Sequence, residues 1–339
     1  MKVVFDARPG EDIRGIGRYV RCLLPALRQA AGDDNDVSAG HRPGRTADVF
    51  HAPWIDGALL RAPCPQVVTV HDVIPLKRRS EYLRTGMRFR LRYLAVSRAQ
   101  RVVVPTQAVA ADAVDLLGLE AERLAVVPEA PAPGFTPRSP AAVAAVLERH
   151  GLPKEYLLWV GALRHPDPRK RVATLAAAPR ELPLVLVGRT AAWARELPGV
   201  ILTGEIDDED LAALYTGARA LVFPSDDEGF GLPPVEALAC GTPVVASDVP
   251  VLREVLGDRA TFVDAADVPE LVAAAQRATR PAPPPPAWSW EDAALATWRV
   301  YEEALAAVGE PMRSARRRAA ALTPDAHAST TITGSSGAR

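Results

Sequence analysis

Short β-branched runs alternate with helical stretches along most of the chain, and this alternation restricts the possible folds more than any other feature. Val3 to Phe5 is the first run, and the segment from Gly17 to Ala31 that follows it carries apolar residues on one helical face. The alternation continues as far as the run from Thr261 to Val263. Successive parallel strands need a helix between them, so the pattern predicts an α/β fold built on parallel sheets.

A proline-rich segment interrupts this alternation near the middle of the chain. Between Pro128 and Pro140 there are five prolines and one glycine, a density at which neither a helix nor a central strand can continue. The sequence therefore predicts two doubly wound, Rossmann-like domains of similar size. The predicted segments are an N-terminal domain at 1–130, a connection at 131–152, a C-terminal domain at 153–285, a final helix at 286–308, and a tail at 309–339 that is expected to be disordered.

The bulk properties argue against several classes of protein. The chain has 339 residues and a formal net charge of −1, whereas a general nucleic-acid binder usually carries a clear basic excess. Its three cysteines, Cys22, Cys64 and Cys240, are far apart and predict neither a disulfide framework nor a zinc site. No run approaches the roughly 18 apolar residues of a spanning helix, and we see no signal peptide. We therefore expect a cytoplasmic protein whose membrane contact, if it has one, is peripheral at the inner face.

The strongest local signal for function follows the apolar run from Ala220 to Phe223. A loop with two glycines leads into Pro233 and Pro234, which suit the first turn of a helix. Backbone N–H groups at such a helix start can converge on an anion, and the loop predicts a phosphate site on this ground. Glu228 and Glu236 flank that site. The alternative is an ordinary strand–turn–helix with a solvated acidic turn.

The whole string from Glu228 to Ser247 resembles the E-x7-E signature of glycosyltransferase family 4, whose members are retaining enzymes of the GT-B architecture. The resemblance covers about residues 1–305 in element order. It implies two domains facing across a cleft, with the nucleotide-sugar held by the C-terminal domain, the acceptor held by the N-terminal domain, and the final helix crossing back to the first domain. It also implies that Glu228 lies beside the hydroxyls of the transferred sugar and that Glu236 holds the ribose. The donor-binding residues implied in this loop are Glu228, Gly229, Phe230, Gly231, Leu232 and Glu236.

A basic segment, residues 160–171, supplies positive charge that the reaction needs. The departing nucleotide diphosphate gains negative charge as the glycosidic bond breaks, so a fixed cation there stabilises the transition state. Lys170 matches the lysine that the family uses at this point, whereas the family's arginine position is occupied by Ala162. Arg164 and Arg169 are the candidates to replace that arginine in donor binding. A basic solvated turn is the alternative for the segment.

The loop after the first strand contains Gly15 and Gly17 directly before a helix. Glycines here permit close approach of a phosphate or a sugar. A third glycine of the dinucleotide fingerprint is absent, because position 20 is Val20, which argues against a nicotinamide dehydrogenase. The loop resembles the family's Gly-Ile-Gly-Arg-Tyr loop, which implies donor contacts from Gly15 and Gly17 and an acceptor contact from Arg18.

Two histidines lie at predicted strand ends, where ligands of open α/β sheets bind. His71 precedes Asp72 as in the family, and the resemblance implies that it contacts the donor sugar. His51 and the nearby Trp54 are candidates for the acceptor pocket, although a single histidine is usually structural. The predicted catalytic residues are His71, Lys170 and Glu228.

Residues 77–101 carry nine Lys and Arg residues against one acid, Glu81, with aromatic and aliphatic residues between them. A basic amphipathic segment of this kind can lie on an anionic membrane surface. An ordinary helix explains the pattern equally well, with its arginines exposed to solvent on one face and its apolar residues packed in the core on the other.

The resemblance implies a retaining glycosyltransferase that moves a hexose onto a glycan, lipid-linked or small-molecule acceptor. GDP-mannose is the first candidate donor, and UDP-glucose, UDP-N-acetylglucosamine and other donors stay open. We expect no metal or other cofactor besides the nucleotide-sugar, and no nucleic-acid partner. Cell-envelope polysaccharide or glycolipid synthesis is the expected context. Residues 32–47 are short and polar where larger family members have a strand and a helix, which predicts a trimmed acceptor domain. A nucleotide-sugar epimerase and a non-catalytic nucleotide-sugar-binding scaffold remain as alternatives.

Overall fold

The computed structural model describes residues 1–12, 15–78 and 87–309, without the side chains of 87–90. Its first sheet has six parallel strands in the order β2-β1-β3-β4-β5-β6. The strands are β1 Lys2–Phe5, β2 Asp36–Ala39, β3 Val49–Ala52, β4 Gln66–Thr69, β5 Arg101–Val104 and β6 Leu124–Val126. The helices of this domain are α1 Gly15–Gln29, α2 Ile74–Lys77, α3 Met87–Val96 and α4 Gln107–Leu117.

The second sheet repeats this arrangement with the parallel order β12-β11-β10-β7-β8-β9. Its strands are β7 Leu157–Val160, β8 Leu184–Val187, β9 Val200–Gly204, β10 Ala220–Phe223, β11 Val244–Ser247 and β12 Thr261–Val263. The remaining helices are α5 Pro140–Arg149, α6 Val172–Ala177, α7 Ala192–Arg195, α8 Asp208–Gly217, α9 Leu232–Ala239, α10 Pro250–Leu256, α11 Val268–Arg277 and α12 Trp290–Ala306.

The expectation of a trimmed segment at 32–47 is wrong in one respect, because strand β2 lies within it. β2 pairs along its full length with β1, so backbone hydrogen bonds hold it at the sheet edge although its residues are mostly polar. Only Val37 in β2 is buried. An edge strand needs few apolar side chains, and its sequence therefore lacks the pattern of a central strand.

The segment 131–152 is more than a linker. It contains α5, which begins at Pro140 after Ser139 caps its first turn, and whose Val146 and Leu147 are buried in the core of the second domain. The proline density there ends the preceding segment, but a proline in the first turn of a helix is harmless. α5 thus packs with α8 as part of the second domain.

The strand β12, which lies before helix α12 in the sequence, belongs to the second domain. Helix α12 itself packs on α1 in the first domain. Ser289 caps α12, and Trp290, Trp298 and Tyr301 are buried among the apolar residues of the first domain. Residues 310–339, most of the predicted tail, lie outside the described residues. Among the helices of the described ranges, none is both long and apolar enough to cross a membrane.

The order of each sheet reverses direction beside its first strand. The chain leaves β1 toward β2 on one side and returns to β3 on the other, and in the second sheet β8 and β10 lie on opposite sides of β7. Open parallel sheets bind ligands in the crevice that such a switch creates at the carboxyl ends of the strands. The fold therefore offers two crevices, one between β1 and β3 and one between β7 and β10.

Candidate active site between the two sheets

The carboxyl edges of the two sheets face each other and touch. Gly229, in the loop after β10, packs so closely on His71, two residues beyond the end of β4, that a Cβ atom at Gly229 would lie 2.0 Å from the backbone oxygen of His71. The Thr106 hydroxyl, after β5, donates a hydrogen bond of 3.2 Å to the Gly229 carbonyl. The glycine loop of the second domain is thus held against the first domain at His71.

The glycine loop leads into α9 as the sequence predicts, with prolines in the first turn of the helix. Gly231 has a φ of +95°, a left-handed conformation that favours glycine. Phe230 and Leu232 are buried, and their side chains pack in the core of the second domain. Glu236 lies in the second turn of α9 and not in the first turn, where the sequence reading places it.

Lys170 ends a short 3-10 helix, Pro168–Lys170, on the chain segment that follows β7. Burial lowers the pKa of its ammonium group. Within residues 1–12, 15–78 and 87–309, no hydrogen bond or ion pair reaches its Nζ atom, which lies 5.9 Å from the centre of the Trp159 ring. The carboxylates of Glu228, Asp167 and Asp72 favour the charge of Lys170 only from a distance, so a half-buried ammonium group remains without a hydrogen-bonded anion, which is costly unless a ligand supplies one.

Arg169 and Glu228 form an ion pair across the β7/β10 crevice, with Nη1 and Oε2 2.8 Å apart. Arg169 also donates to Asp167 and to the Asp227 carbonyl. Burial opposes the charge of Arg169, but the carboxylates of Glu228, Asp167 and Asp72 together outweigh burial and raise the pKa of the guanidinium. Arg169 therefore orients Glu228, whereas Arg164 is exposed and makes no hydrogen bond within the described part of the chain.

His71 is held by two acceptors of the first domain. Its Nδ1 lies 3.0 Å from Glu129 Oε1 and its Nε2 lies 3.0 Å from the Pro53 carbonyl oxygen. Because an acceptor oxygen faces each ring nitrogen, this arrangement favours the imidazolium form, in which both nitrogens donate. Burial disfavours this charge, yet Glu129, with the Pro53 carbonyl and Asp72, outweighs burial and raises the pKa of His71. The protonated form of His71 is thus favoured by Glu129, a residue that no sequence motif marks.

Arg18, predicted for the acceptor, lies instead on the donor half of the site. Its guanidinium donates to Glu236 Oε1 at 2.5 Å and also pairs with Asp208, both in the second domain. Tyr215 donates to the other Glu236 oxygen at 3.3 Å. An arginine one turn into α1 can extend across the interface, and the buried Glu236 offers it a stronger partner than water. Arg18 therefore binds the Glu236 carboxylate, which the family resemblance assigns to the ribose of the donor.

Burial raises the pKa of Glu236 to about 7 from its ordinary value of 4.5, against the opposing effect of Arg18. Between pH 4.5 and 7 the folded protein therefore retains a proton that the unfolded chain has lost. We expect the free energy of unfolding to fall as pH rises through this window, by on the order of 3 kcal/mol. Thermal melts at pH 5 and pH 8 should show the wild type losing several degrees relative to Glu236→Gln, which cannot titrate. Parallel pH profiles of the two proteins would contradict this.

The prediction for His51 is not supported by its placement. The side chain is fully buried, with Nδ1 2.7 Å from the Tyr301 hydroxyl and Nε2 2.8 Å from Thr69 Oγ1. Burial lowers the pKa of His51 to about 3, so the ring is neutral. His51 links the first sheet to α12. Trp54, in contrast, is only half-buried and lies at the carboxyl edge after β3.

The predicted donor glycines of the first domain have different surroundings. Gly15 lies opposite Leu232 across the interface, since a Cβ atom on Gly15 would be 3.9 Å from the Leu232 side chain. A Cβ atom on Gly17 would collide with the Asp12 carbonyl at 1.6 Å, so Gly17 is required by its own loop. Gly15 therefore lies in the cleft, and Gly17 shapes the turn beside it.

Further contacts between the domains involve residue pairs that are far apart in the sequence. Lys77 pairs with Asp227 at 3.0 Å, and Arg78 pairs with Asp226 at 2.9 Å. The carboxylate of Glu254 accepts from the first two backbone N–H groups of α4, at 2.6 and 3.0 Å. No local pattern marks such pairs, because each half is an unremarkable surface residue of its own domain.

Two family models match the chain, one in each half. The model described as Glycosyltransferase Family 4 matches residues 45–130, and the model described as Glycosyl transferases group 1 matches residues 154–280. O-antigen chain mannosyltransferase B from Escherichia coli is 30% identical over an alignment of 249 positions, and the match covers 65% of this chain and 62% of that protein. O-antigen chain mannosyltransferase RfbU from Salmonella typhimurium is 28% identical over 214 residues, 60% of this chain and 57% of that protein. The chain thus spans about three fifths of the length of these relatives.

The arrangement of the two domains is shared with solved structures. The crystal structure of HepE from Anabaena in complex with UDP and glucose superposes with a TM-score of 0.64, covering 95% of this chain and 100% of that one at 17% sequence identity. A likeness at this level of identity establishes the fold. The chain has the GT-B architecture, in which two Rossmann-like domains face each other across a cleft.

Proposed function

We propose, on the premise that this chain belongs to glycosyltransferase family 4, that it transfers a hexose from a nucleotide-diphosphate sugar to a glycan or lipid-linked acceptor. Mannose is the first candidate for the sugar, because two relatives that it resembles are O-antigen chain mannosyltransferases. GDP-mannose is the matching donor. Polysaccharide synthesis is the corresponding context.

Lys170 is the observation that carries this proposal. Its ammonium group is half-buried at the β7/β10 crevice and has no partner within the described residues, while its neighbour Arg169 holds Glu228. A diphosphate placed between Lys170 and the start of α9 would meet both a cation and the backbone N–H groups from Gly229 to Leu232, since Pro233 and Pro234 have none. The diphosphate would thus be the anion that pairs with the Lys170 ammonium group.

The proposed chemistry follows from this arrangement. The bond between the anomeric carbon and the diphosphate oxygen breaks, and the electron pair stays on the diphosphate. An acceptor hydroxyl oxygen forms the new bond to the anomeric carbon, and its proton passes to the departing diphosphate oxygen. Lys170 and the amides of the glycine loop stabilise the charge that develops there, and Glu228, oriented by Arg169, binds hydroxyls of the transferred sugar. His71, whose backbone oxygen packs on Gly229 and whose ring is held by Glu129, positions the glycine loop on the opposite wall. We propose retention of the anomeric configuration, and none of these steps routes through a metal.

A donor screen followed by product analysis tests the proposal. GDP-mannose, UDP-glucose, UDP-N-acetylglucosamine, ADP-glucose and dTDP-glucose are added separately, and the donor that binds should raise the melting temperature. Incubation of that donor with a mannoside acceptor should yield a new glycosidic bond. An epimerised nucleotide-sugar without transfer would favour the epimerase, and binding without any turnover would favour the scaffold.

We propose in addition that part of the Arg-rich region 77–101 contacts an anionic membrane surface. Residues 79–86 lie outside the described part of the chain, and Lys77 and Arg78 pair with the second domain. Leu91 and Leu94 of α3, however, are more than 40% exposed. Leu60 is similarly exposed, and Arg98 reaches its carbonyl at 3.5 Å. Exposed leucines beside arginines suit a bilayer interface with negative headgroups.

The double substitution Leu91→Ser and Leu94→Ser should weaken binding to phosphatidylglycerol vesicles by about tenfold, since it removes apolar surface from that interface. Co-sedimentation with vesicles measures this binding. Leu116→Ser with Leu295→Ser is the matched control, because these leucines are exposed elsewhere on the protein. Equal binding of the two double variants, or no binding by the wild type, would contradict the membrane proposal.

A further inference from the structure

The crevice between β1 and β3 contains three side chains that none of the donor contacts uses. Asp6 follows β1 directly and its carboxylate is fully buried. Arg8 donates to both oxygens of that carboxylate, from Nε at 2.8 Å and from Nη2 at 2.6 Å, and the Trp54 indole N–H donates to it at 3.1 Å. Residues after β1 and β3 thus meet across the switch point of the first sheet.

Gly57 shows how closely these groups are packed. A Cβ atom at Gly57 would lie 2.6 Å from Asp6 Oδ2 and 2.6 Å from Trp54 Nε1, so only glycine fits at this position. The carboxylate and the indole are therefore held in place by the backbone behind them. Arg8, which depends on both, has a defined position although its side chain is 53% exposed.

One edge of the Arg8 guanidinium remains available. A guanidinium has five N–H donors, and the side-on pair with Asp6 uses one from Nε and one from Nη2. Nη1 makes no hydrogen bond within residues 1–12, 15–78 and 87–309. The end formed by Nη1 and Nη2 consequently presents a second pair of parallel donors to the solvent in the crevice.

This edge lies on the acceptor side of the reacting centre. His71, which touches the glycine loop at Gly229, is hydrogen-bonded through Nε2 to the carbonyl of Pro53, the residue before Trp54. A continuous set of contacts therefore runs from the donor loop through His71 to Trp54 and Arg8. A molecule bound at Arg8 would lie on the same cleft edge as the donor, in the other domain.

Charge decides which ligand suits this edge. The Asp6 carboxylate neutralises Arg8, so the pair has little net attraction for an anion, but it keeps two directed donors. Adjacent hydroxyl oxygens of a sugar accept from such a fork without a charge. We propose that Arg8, fixed by Asp6 and Trp54, binds two neighbouring hydroxyls of a neutral sugar, namely the terminal residue of the acceptor. The inference rests on the proposed function for its biological meaning, but it concerns binding alone.

Saturation-transfer NMR without any donor tests this proposal. The probes are methyl α-D-mannopyranoside, methyl α-D-glucopyranoside and inorganic phosphate, each titrated into the full chain. We expect the wild type to bind at least one glycoside, and Arg8→Lys, which keeps the charge but removes the fork, to bind it about tenfold more weakly. Arg28→Lys is the matched control, because Arg28 lies near the far end of α1 and bonds the Val37 carbonyl.

The outcomes separate this inference from the proposed function. Glycoside binding that is lost in Arg8→Lys and kept in Arg28→Lys supports the inference, even if no donor is turned over. Equal glycoside binding by the wild type and Arg8→Lys, binding of phosphate alone, or no glycoside binding by the wild type overturns it, even if transfer is observed. A single cooperative melting transition well above the assay temperature for both variants shows that the first domain is folded, although Arg8→Lys should melt somewhat lower because the buried Asp6 carboxylate loses one hydrogen bond. Unchanged nucleotide binding by Arg8→Lys shows that the donor half is intact.

Discussion

Replacement of Lys170 by alanine should lower kcat for sugar transfer by about 10²–10³-fold, the usual effect of removing one group that stabilises developing negative charge. The lysine is the half-buried cation without a partner in the described structure, and burial lowers its pKa. Its attraction to the diphosphate grows as the glycosidic bond breaks. The loss should therefore be larger in kcat than in donor affinity.

Steady-state kinetics with the donor identified by the screen measures the effect of Lys170→Ala. Lys154→Ala serves as the control, because Lys154 is an exposed lysine of the same domain and should leave kcat unchanged. Lys170→Arg should recover part of the activity by restoring the charge. If Lys170→Ala kept more than a tenth of the wild-type kcat, the lysine would have no part in leaving-group stabilisation.

Replacement of Gly229 by alanine should reduce kcat/KM by about 100-fold, the scale expected when reacting groups are displaced by about 1 Å. The new Cβ atom would lie 2.0 Å from the His71 oxygen and 3.3 Å from Asp72 Cβ, so the two domains could not close to their present contact. The second domain alone would be unaffected. Donor affinity should consequently change much less than the rate of transfer.

Gly44→Ala provides the comparison for Gly229→Ala, since a Cβ atom at Gly44 meets nothing within 4 Å. Small-angle scattering should show a larger radius of gyration for Gly229→Ala than for the wild type, and no change for Gly44→Ala. Unchanged kinetics in Gly229→Ala would mean that the contact between Gly229 and His71 has no role in turnover.

Local patterns predicted the central strands and the helix that follows the glycine loop. The runs at Val49, Val67 and Val102 are buried on both faces, and such strands are continuous apolar sequences. Thr106 and Ser289 cap their helices as their positions suggest. The sequence pattern does not predict β2, because this edge strand is stabilised mainly by backbone hydrogen bonds to β1, and its own side chains are mostly polar.

The candidate site was less predictable where it depends on both domains. The sequence identified Glu236 and Arg18 separately, but their ion pair joins residues 218 positions apart. Glu129 lies in a proline-rich segment with no motif, and its role becomes visible only beside His71. A strand-end position does not make His51 accessible, because Tyr301 and Thr69 bind its two ring nitrogens and the side chain is fully buried. The roles of Lys170 and Glu228 in transfer remain predictions.

Trp290, Trp298 and Tyr301 are among the last described residues to be synthesised, yet they fill the interior of the domain that is synthesised first. A nascent chain therefore carries an incomplete first domain throughout the synthesis of the second one, with the apolar face of α1 uncovered and His51 without Tyr301. The usual order of vectorial folding, in which the N-terminal domain matures before the next emerges, cannot apply here. Maturation of the first domain must wait until the ribosome has released α12.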